Sequence, residues 1–226
     1  LRKMAEEAPG TFQHSMQVSN LATAGAQEIN ANVQLARTGA MYHDIGKMIN
    51  PIYFTENQSG FNPHDNLSIE ESLNIITSHV TEGLKLAHKH NLPLVIRDCI
   101  RSHHGTGPCR YFFNAYKKEN PDKEVPENFF YKGANPSSKE TAILMMADAV
   151  EASSRSLKEY SESSISELVD RIINTQFYEG AFKDVPITFR DMEKVKAVFK
   201  SKLITIYHTR IQYPDMNVAV PPILRE

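Results

Sequence analysis

Apolar residues in this chain recur every three to four positions, and stretches that alternate apolar with polar residues are scarce. A helix buries a stripe at that spacing and a strand buries every second residue, so an all-α fold is expected. Turn-forming residues divide the pattern into segments. After Pro9-Gly10, Thr11 is placed to cap a helix carrying Phe12, Met16, Leu21, Ala22 and Ile29. Residues 32–49 read as a second helix ended by Asn50-Pro51, and 52–66, rich in Asn, Gly and Pro, as a loop with one short helical turn. Ser68-Ile69-Glu70-Glu71 has the spacing of a capping box and opens a helix through Leu73, Ile76, His79, Gly83 and Leu86. Another helix starts at Leu92-Pro93 and carries Val95, Ile96, Cys99, Ile100 and His103, with a shorter one at 111–118. The polar stretch 119–138 reads as a surface excursion, after which helices resume at 138–158, 163–178 and 188–210. Residues 1–213 are expected to form one helical bundle with that excursion inserted, and 214–226, containing Pro221-Pro222, a tail.

At 226 residues the chain is long enough to bury a substantial core. Its 25 basic and 27 acidic side chains leave a net charge of −2 with no long run of either sign, which argues against a broad basic face and a long nucleic acid as partner. The two cysteines, Cys99 and Cys109, form no C-x-x-C pair and no disulfide framework, as suits a reducing cytoplasm. No apolar run approaches the roughly 20 residues of a membrane span. The opening LRKMAEEAPG lacks both an apolar signal region and an initiator Met, so the sequence is expected to begin partway along a larger parent.

The chemistry-bearing residues are distributed over separate helices. His14, His43 with Asp44, His79, and His103 with His104 each fall on an expected helix or at its end. Asp148 lies in ILMMADAVEASSRS, where a charge after an apolar run is costly unless paired or bound to a cation. Taken singly, each has an ordinary explanation as a packed or solvated residue. Taken together, five imidazoles and two carboxylates on different helices match the way bundles build metal sites from facing side chains. Lys47 follows Asp44 by three residues and His43 by four, and so shares their helix face. Arg155 follows Asp148 by seven, along one face. His64-Asp65, after Asn62-Pro63, reads as loop structure, and Gly83 as room either for a close helix approach or for substrate.

The order His…His-Asp…His…His-His…Asp resembles the HD-domain metal phosphohydrolases. More narrowly, PGTFQHS, YHDIGK, ENQ…NPHDNLS, SHVTEG, HHGT and ADAVEASSRS are similar to the cytosolic HD domain of the seven-transmembrane-HD receptor family, in order over residues 8–160 and more loosely beyond. That resemblance implies hydrolysis of cyclic di-AMP to linear pApA with two divalent cations, iron or manganese. His14, His43, Asp44 and Asp148 would hold one ion, and Asp44 would bridge to a second held by His79, His103 and His104. Imidazole and carboxylate donors suit these metals, and the lack of a cysteine set argues against structural zinc. A metal-bound hydroxide would be the nucleophile: lowering the pKa of water from about 15.7 towards 7 corresponds to about 12 kcal/mol in favour of hydroxide. Lys47 would serve the reaction by contacting a phosphate, Arg155 the other phosphate or a ribose, and Tyr131 would stack on a base, with Phe129 and Phe130 beside it.

The run Tyr131-Lys132-Gly133-Ala134 stands where that family often has Tyr-Pro-Gly-Pro, and His103-His104 is followed by Gly-Thr rather than the Gly-Tyr-Pro of cyclic di-GMP enzymes. The alternatives are hydrolysis of another nucleotide, such as cyclic di-GMP or a nucleoside triphosphate, or a sensor that binds without turnover. By the same likeness, membrane attachment would come only through an upstream region, with this domain on the cytosolic side of a bacterial membrane protein. The sequence does not fix the oligomeric state.

Overall fold

The computed structural model describes residues 1–208. The tail expected at 214–226 and the end of the helix expected at 188–210 lie outside them. Among the described residues the regular structure is helical: α1 (Arg2–Glu7), α2 (Pro9–Glu28), α3 (Val33–Tyr42), α4 (Ile69–Lys89), α5 (Leu94–Ser102), α6 (Arg110–Glu119), α7 (Lys139–Ser154), α8 (Glu162–Tyr178) and α9 (Phe189–His208). One isolated antiparallel bridge joins Pro108 to Phe130, and no strand occurs among these residues.

The position of α7 follows from its composition. Ile143, Leu144, Met146, Ala147 and Val150 are fully buried, so the helix has no apolar-free face to give to water. Helices α2, α3, α5 and α8 pack around it, while α2 also packs on α3 and α9. Each buried aliphatic side chain of this kind contributes about 1.5–3 kcal/mol. The central helix therefore fixes where Asp148, facing α2, must sit. Ser138 starts α7 as N-cap, reciprocated by Thr141.

The start of α2 differs from expectation. Pro9 occupies the first turn and Ala8 is the N-cap without a side-chain bond, while Thr11 lies buried inside the helix and donates its hydroxyl to Glu56 Oε1 at 3.3 Å. Proline already has the φ a helix needs and lacks the amide that a cap would satisfy, so Thr11 is free for a tertiary contact.

The expected helix over 32–49 breaks after Tyr42. Asp44 leaves helical geometry (φ −106°, ψ 15°) and Ile45–Ile49 continue as a 3-10 turn, with Lys47 N donating to Asp44 O at 3.0 Å. Packing explains the break. A Cβ on Gly46 would fall 1.8 Å from the His79 carbonyl oxygen, so only glycine lets this turn press against α4. Gly83 meets it there, with its own would-be Cβ 3.3 Å from Gly46 N, the close packing its position suggested.

The capping box at Ser68 forms as expected: Glu71 N donates to Ser68 Oγ at 3.2 Å, and Ser68 N to Glu71 Oε2 at 2.9 Å. Segment 51–66 contains three short 3-10 turns rather than one. The stretch 119–138 is not purely a surface excursion. Phe129 is buried against Leu73 and Cys109, and Tyr131 N donates to Gly107 O at 2.9 Å, so its aromatic end lines the protein beside His103 and His104. Apolar area drives that return despite the polar flanks.

Candidate metal centre

Each proposed ligand is delivered by a different structural device. His14 projects from α2, His79 from α4 and Asp148 from α7. His43 and His103 are the C-caps of α3 and α5, Asp44 occupies the break after α3, and His104 follows His103. Two helix C-termini thus end at the site, and their unsatisfied carbonyls favour positive charge there. All seven residues meet. His14, His43, Asp44, His79, His103 and Asp148 are buried, and only the His104 side chain retains appreciable exposure, 26%.

Asp44 lies between two histidine groups. Its Oδ2 is 3.5 Å from His14 Nε2 and 3.2 Å from His43 Nε2, while its Oδ1 is 3.4 Å from His79 Nε2 and 3.5 Å from His103 Nε2. Asp148 Oδ1 lies 3.0 Å from His14 Nε2 and 3.6 Å from His43 Nε2, and its Oδ2 is 3.6 Å from His104 Nδ1. Three sets place their donor atoms within 4.8 Å of one another: His14, His43 and Asp148; His79, His103 and His104; and His43, Asp44 and His103.

The donor chemistry fits divalent cations. His43, His79 and His103 donate Nδ1–H to the carbonyls of Ala40, Ile76 and Ile100 at 2.6, 2.6 and 2.8 Å. A neutral imidazole has one N–H, so in its neutral form each of these rings presents a bare Nε2 inward to a cation. The Nε2 atoms of His79 and His103 are only 3.0 Å apart, lone pair towards lone pair unless something positive lies between. His43 Nε2 and both oxygens of Asp44 are buried without a hydrogen bond, and the Lys47 ammonium forms an ion pair with Asp44 Oδ2 at 2.7 Å. Orphaned buried acceptors on this scale are costly in a merely structural cluster. An all-nitrogen and oxygen set of this kind suits first-row divalent cations.

Burial and charge set the protonation of the cation-free centre. Burial pushes His79 down to about 3 against the opposing charge of Asp44, and it drives His104 well below the usual histidine range. Burial opposes charge on His43 too, but Asp44 and Asp148 overcome it and carry it up to about 10. Asp44 and Asp148 stay ionised: burial would raise them, yet His43 and Lys47 hold Asp44, and His14 and His43 hold Asp148, well below the carboxylate range.

The residues expected to contact substrate have partners of their own. Lys47 donates to Glu56 Oε1 at 2.8 Å, and its ammonium lies 5.0 Å from the Phe54 ring centre. Arg155 Nη2 is 3.3 Å from Glu151 Oε2, with 37% of its side chain exposed. The Tyr131 ring stacks on His104, centroids 4.2 Å apart and planes 26° from parallel. His64 stays outside the cluster, its Nε2 bonded to the Tyr53 carbonyl at 2.9 Å. Sequence reasoning passed over Glu56 and Glu151. The second lies three residues after Asp148 on α7 and hydrogen-bonds His14 Nδ1.

Comparison with known proteins agrees with this geometry. The HD domain family model matches residues 11–153. The chain is 43% identical over 216 residues to the cyclic-di-AMP phosphodiesterase PgpH of Listeria monocytogenes, covering 95% of this chain and 30% of that protein. It is 42% identical over 222 residues to the Bacillus subtilis protein of the same name, covering 97% of this chain and 31% of that protein. The chain thus spans about a third of the length of these curated relatives. A crystal structure of the Listeria PgpH HD domain in complex with cyclic-di-AMP superposes with a TM-score of 0.87 at 43% identity, over 94% of this chain and 98% of that one. With the motif order, the all-helical bundle and the converging ligands in agreement, the chain belongs to the HD-domain family.

Proposed function

We infer that this domain hydrolyses cyclic di-AMP to linear pApA at a centre of two divalent cations, iron or manganese. His14, His43 and Asp148 would hold one ion and His79, His103 and His104 the other, with Asp44 shared between them. The observation that carries the reading is the set of Nε2 atoms turned inward around a buried carboxylate without hydrogen bonds. The substrate is suggested by the names of the two relatives and by the nucleotide in the crystal complex.

Bound divalent cations supply an acidified water as nucleophile and countercharge for the phosphoryl oxygens. Hydrolysis joins the water oxygen to one phosphorus as the bond to a ribose 3′ oxygen breaks, and the departing oxygen takes up a proton. This leaves a 5′-phosphate at one end of the opened dinucleotide. The chain's own part is placement and charge. Asp44 and Asp148 stay ionised and present acceptors on both sides of the centre. Lys47, whose pKa is raised by Asp44 and Glu56 despite burial, remains positive and offers a fixed charge to a phosphate at the edge of the site. Arg155, part-exposed beside the His14 side, is placed for the second phosphate or a ribose. Tyr131 lies along His104 as a surface for an adenine.

Among the described residues no helix is long and apolar enough to cross a membrane. We place the domain on the cytoplasmic side of a bacterial membrane protein, in keeping with relatives about three times its length. The test is a nucleotide panel on protein stripped with chelator and reloaded with Mn²⁺ or Fe²⁺. Cyclic di-AMP should disappear with pApA as product, and cyclic di-GMP and nucleoside triphosphates should react more slowly. Efficient cleavage of another nucleotide with cyclic di-AMP untouched would overturn the substrate. Cyclic di-AMP held intact by metal-loaded protein would make the domain a sensor.

A further inference from the structure

Four histidines direct Nε2 into the centre, yet they are not held alike. His43, His79 and His103 each donate Nδ1–H to a carbonyl three residues earlier in their own helix, a neutral acceptor supplied by local backbone. His14 instead meets the Glu151 carboxylate from a neighbouring helix, α7. Glu151 is buried and lies one turn from Asp148, so a single helix face delivers a group to each nitrogen of the His14 ring: Asp148 Oδ1 3.0 Å from Nε2, and Glu151 on Nδ1. Arg155 Nη2, one further turn along, sits 3.3 Å from the same Glu151 oxygen that contacts His14. Glu151 therefore meets both a guanidinium and an imidazole, and the same Arg155 nitrogen also lies 3.4 Å from His14 Nδ1.

We propose that Glu151 is a positioning residue that fixes His14 as the Nδ1–H tautomer and strengthens Nε2 as a donor, making the His14 ion the more tightly held of the two. The inference rests on the metal reading above. The physical reason is that a carboxylate accepting the Nδ1 proton pushes electron density to Nε2 more than a neutral carbonyl does, and it locks the ring against rotation. Arg155, part-exposed, steadies the carboxylate from the solvent side.

Two measurements on the intact chain decide the matter. In Zn²⁺-loaded protein, a diamagnetic probe, the four Nδ1 protons are read by NMR of the histidine rings. One should lie well downfield of the three bound to carbonyls. It should move towards them in Glu151→Gln, which keeps an oxygen acceptor without the charge, and be largely restored in Glu151→Asp. In parallel, chelator competition with Mn²⁺ should show one of two ions bound about 10–100-fold more weakly in Glu151→Gln. Glu151→Gln is nearly isosteric, so the test does not depend on the folding of Glu151→Ala. Wild-type affinity for both ions together with four unchanged ring protons in Glu151→Gln would overturn this inference alone. Failure of the wild-type protein to take up either Mn²⁺ or Zn²⁺ would overturn the metal reading and this inference with it.

Discussion

The two halves of the centre are built differently. His14, His43 and Asp148 belong to α2, α3 and α7, the helices wrapped around the main apolar core, and none is appreciably exposed. His79, His103 and His104 come from α4 and α5, which border the smaller clusters. There His104 is partly exposed and covered by Tyr131, a residue of the irregular 119–138 stretch. The first half inherits its geometry from packed helices and the Glu151 carboxylate. The second depends on backbone carbonyls and an aromatic flap of chain. The core half is thus expected to be rigid and intolerant, and the outer half to be the side where substrate shape is read.

Asp44 is common to both halves, so its removal should have the largest effect. Asp44→Ala is expected to lower bound metal below two ions per chain and to cut hydrolysis by roughly 10³-fold or more, since the shared charge and its stabilisation of developing charge go together. Metal analysis beside a turnover assay checks this, and full occupancy at the wild-type rate would show that the halves do not share this carboxylate.

Next comes the contrast between the halves themselves. In metal-free protein, His14→Ala leaves Asp148 and Glu151 buried without their imidazole partner, a loss of about 3 kcal/mol by analogy with other broken buried pairs. His104→Ala opens a part-exposed position and should cost less than about 1 kcal/mol. Denaturant unfolding of the two variants measures the difference. Equal losses would mean that both halves are equally embedded, contrary to their packing.

How far the sequence reveals these halves also differs. The ligands and most helices are legible because spacing is local: the capping box at Ser68, the apolar run of α7, and the His-Asp and His-His pairs all declare themselves in one dimension. The break after Tyr42 does not, because its cause is the approach of Gly46 to the His79 carbonyl, a contact between segments more than thirty residues apart. Glu56 and Glu151 look like ordinary solvated acids in sequence, and only the fold lays them against Lys47 and His14. Thr11 looks like a helix cap for the same reason, since nothing local says that Pro9 has already begun the helix. A carboxylate's role is set by its neighbours in space, which periodicity does not encode.

Lys47 tests whether substrate charge can be separated from metal holding. Its ammonium touches Asp44 and Glu56 but lies in neither histidine set. Lys47→Ala should raise KM for cyclic di-AMP on the order of tenfold, as expected for one lost charge-assisted phosphate contact, while leaving two ions bound. Loss of metal in this variant would instead make Lys47 part of the scaffold that orients Asp44. The Lys47→Ala, Glu56→Gln pair sharpens the point, because Glu56 accepts from both Lys47 and Thr11, and the part of its effect that runs through Lys47 should vanish once Lys47 is gone.

The smallest expected effect falls on the outer half and separates ring from hydroxyl. Tyr131 presents an aromatic face to His104, and burial pushes its phenol pKa well up, with Cys109 next to it adding to the shift. The phenol is therefore neutral throughout the working range and supplies surface rather than charge. Tyr131→Phe keeps the stacking area and should change KM by less than about threefold, whereas Tyr131→Ala should weaken cyclic di-AMP binding by about 1–3 kcal/mol if an adenine stacks there. The same pair of variants compared on cyclic di-GMP locates the source of base preference. A loss confined to the adenine nucleotide assigns selectivity to this stack. An equal loss on both nucleotides would mean that Tyr131 only steadies His104, and that the outer half shapes the metal site without reading the base.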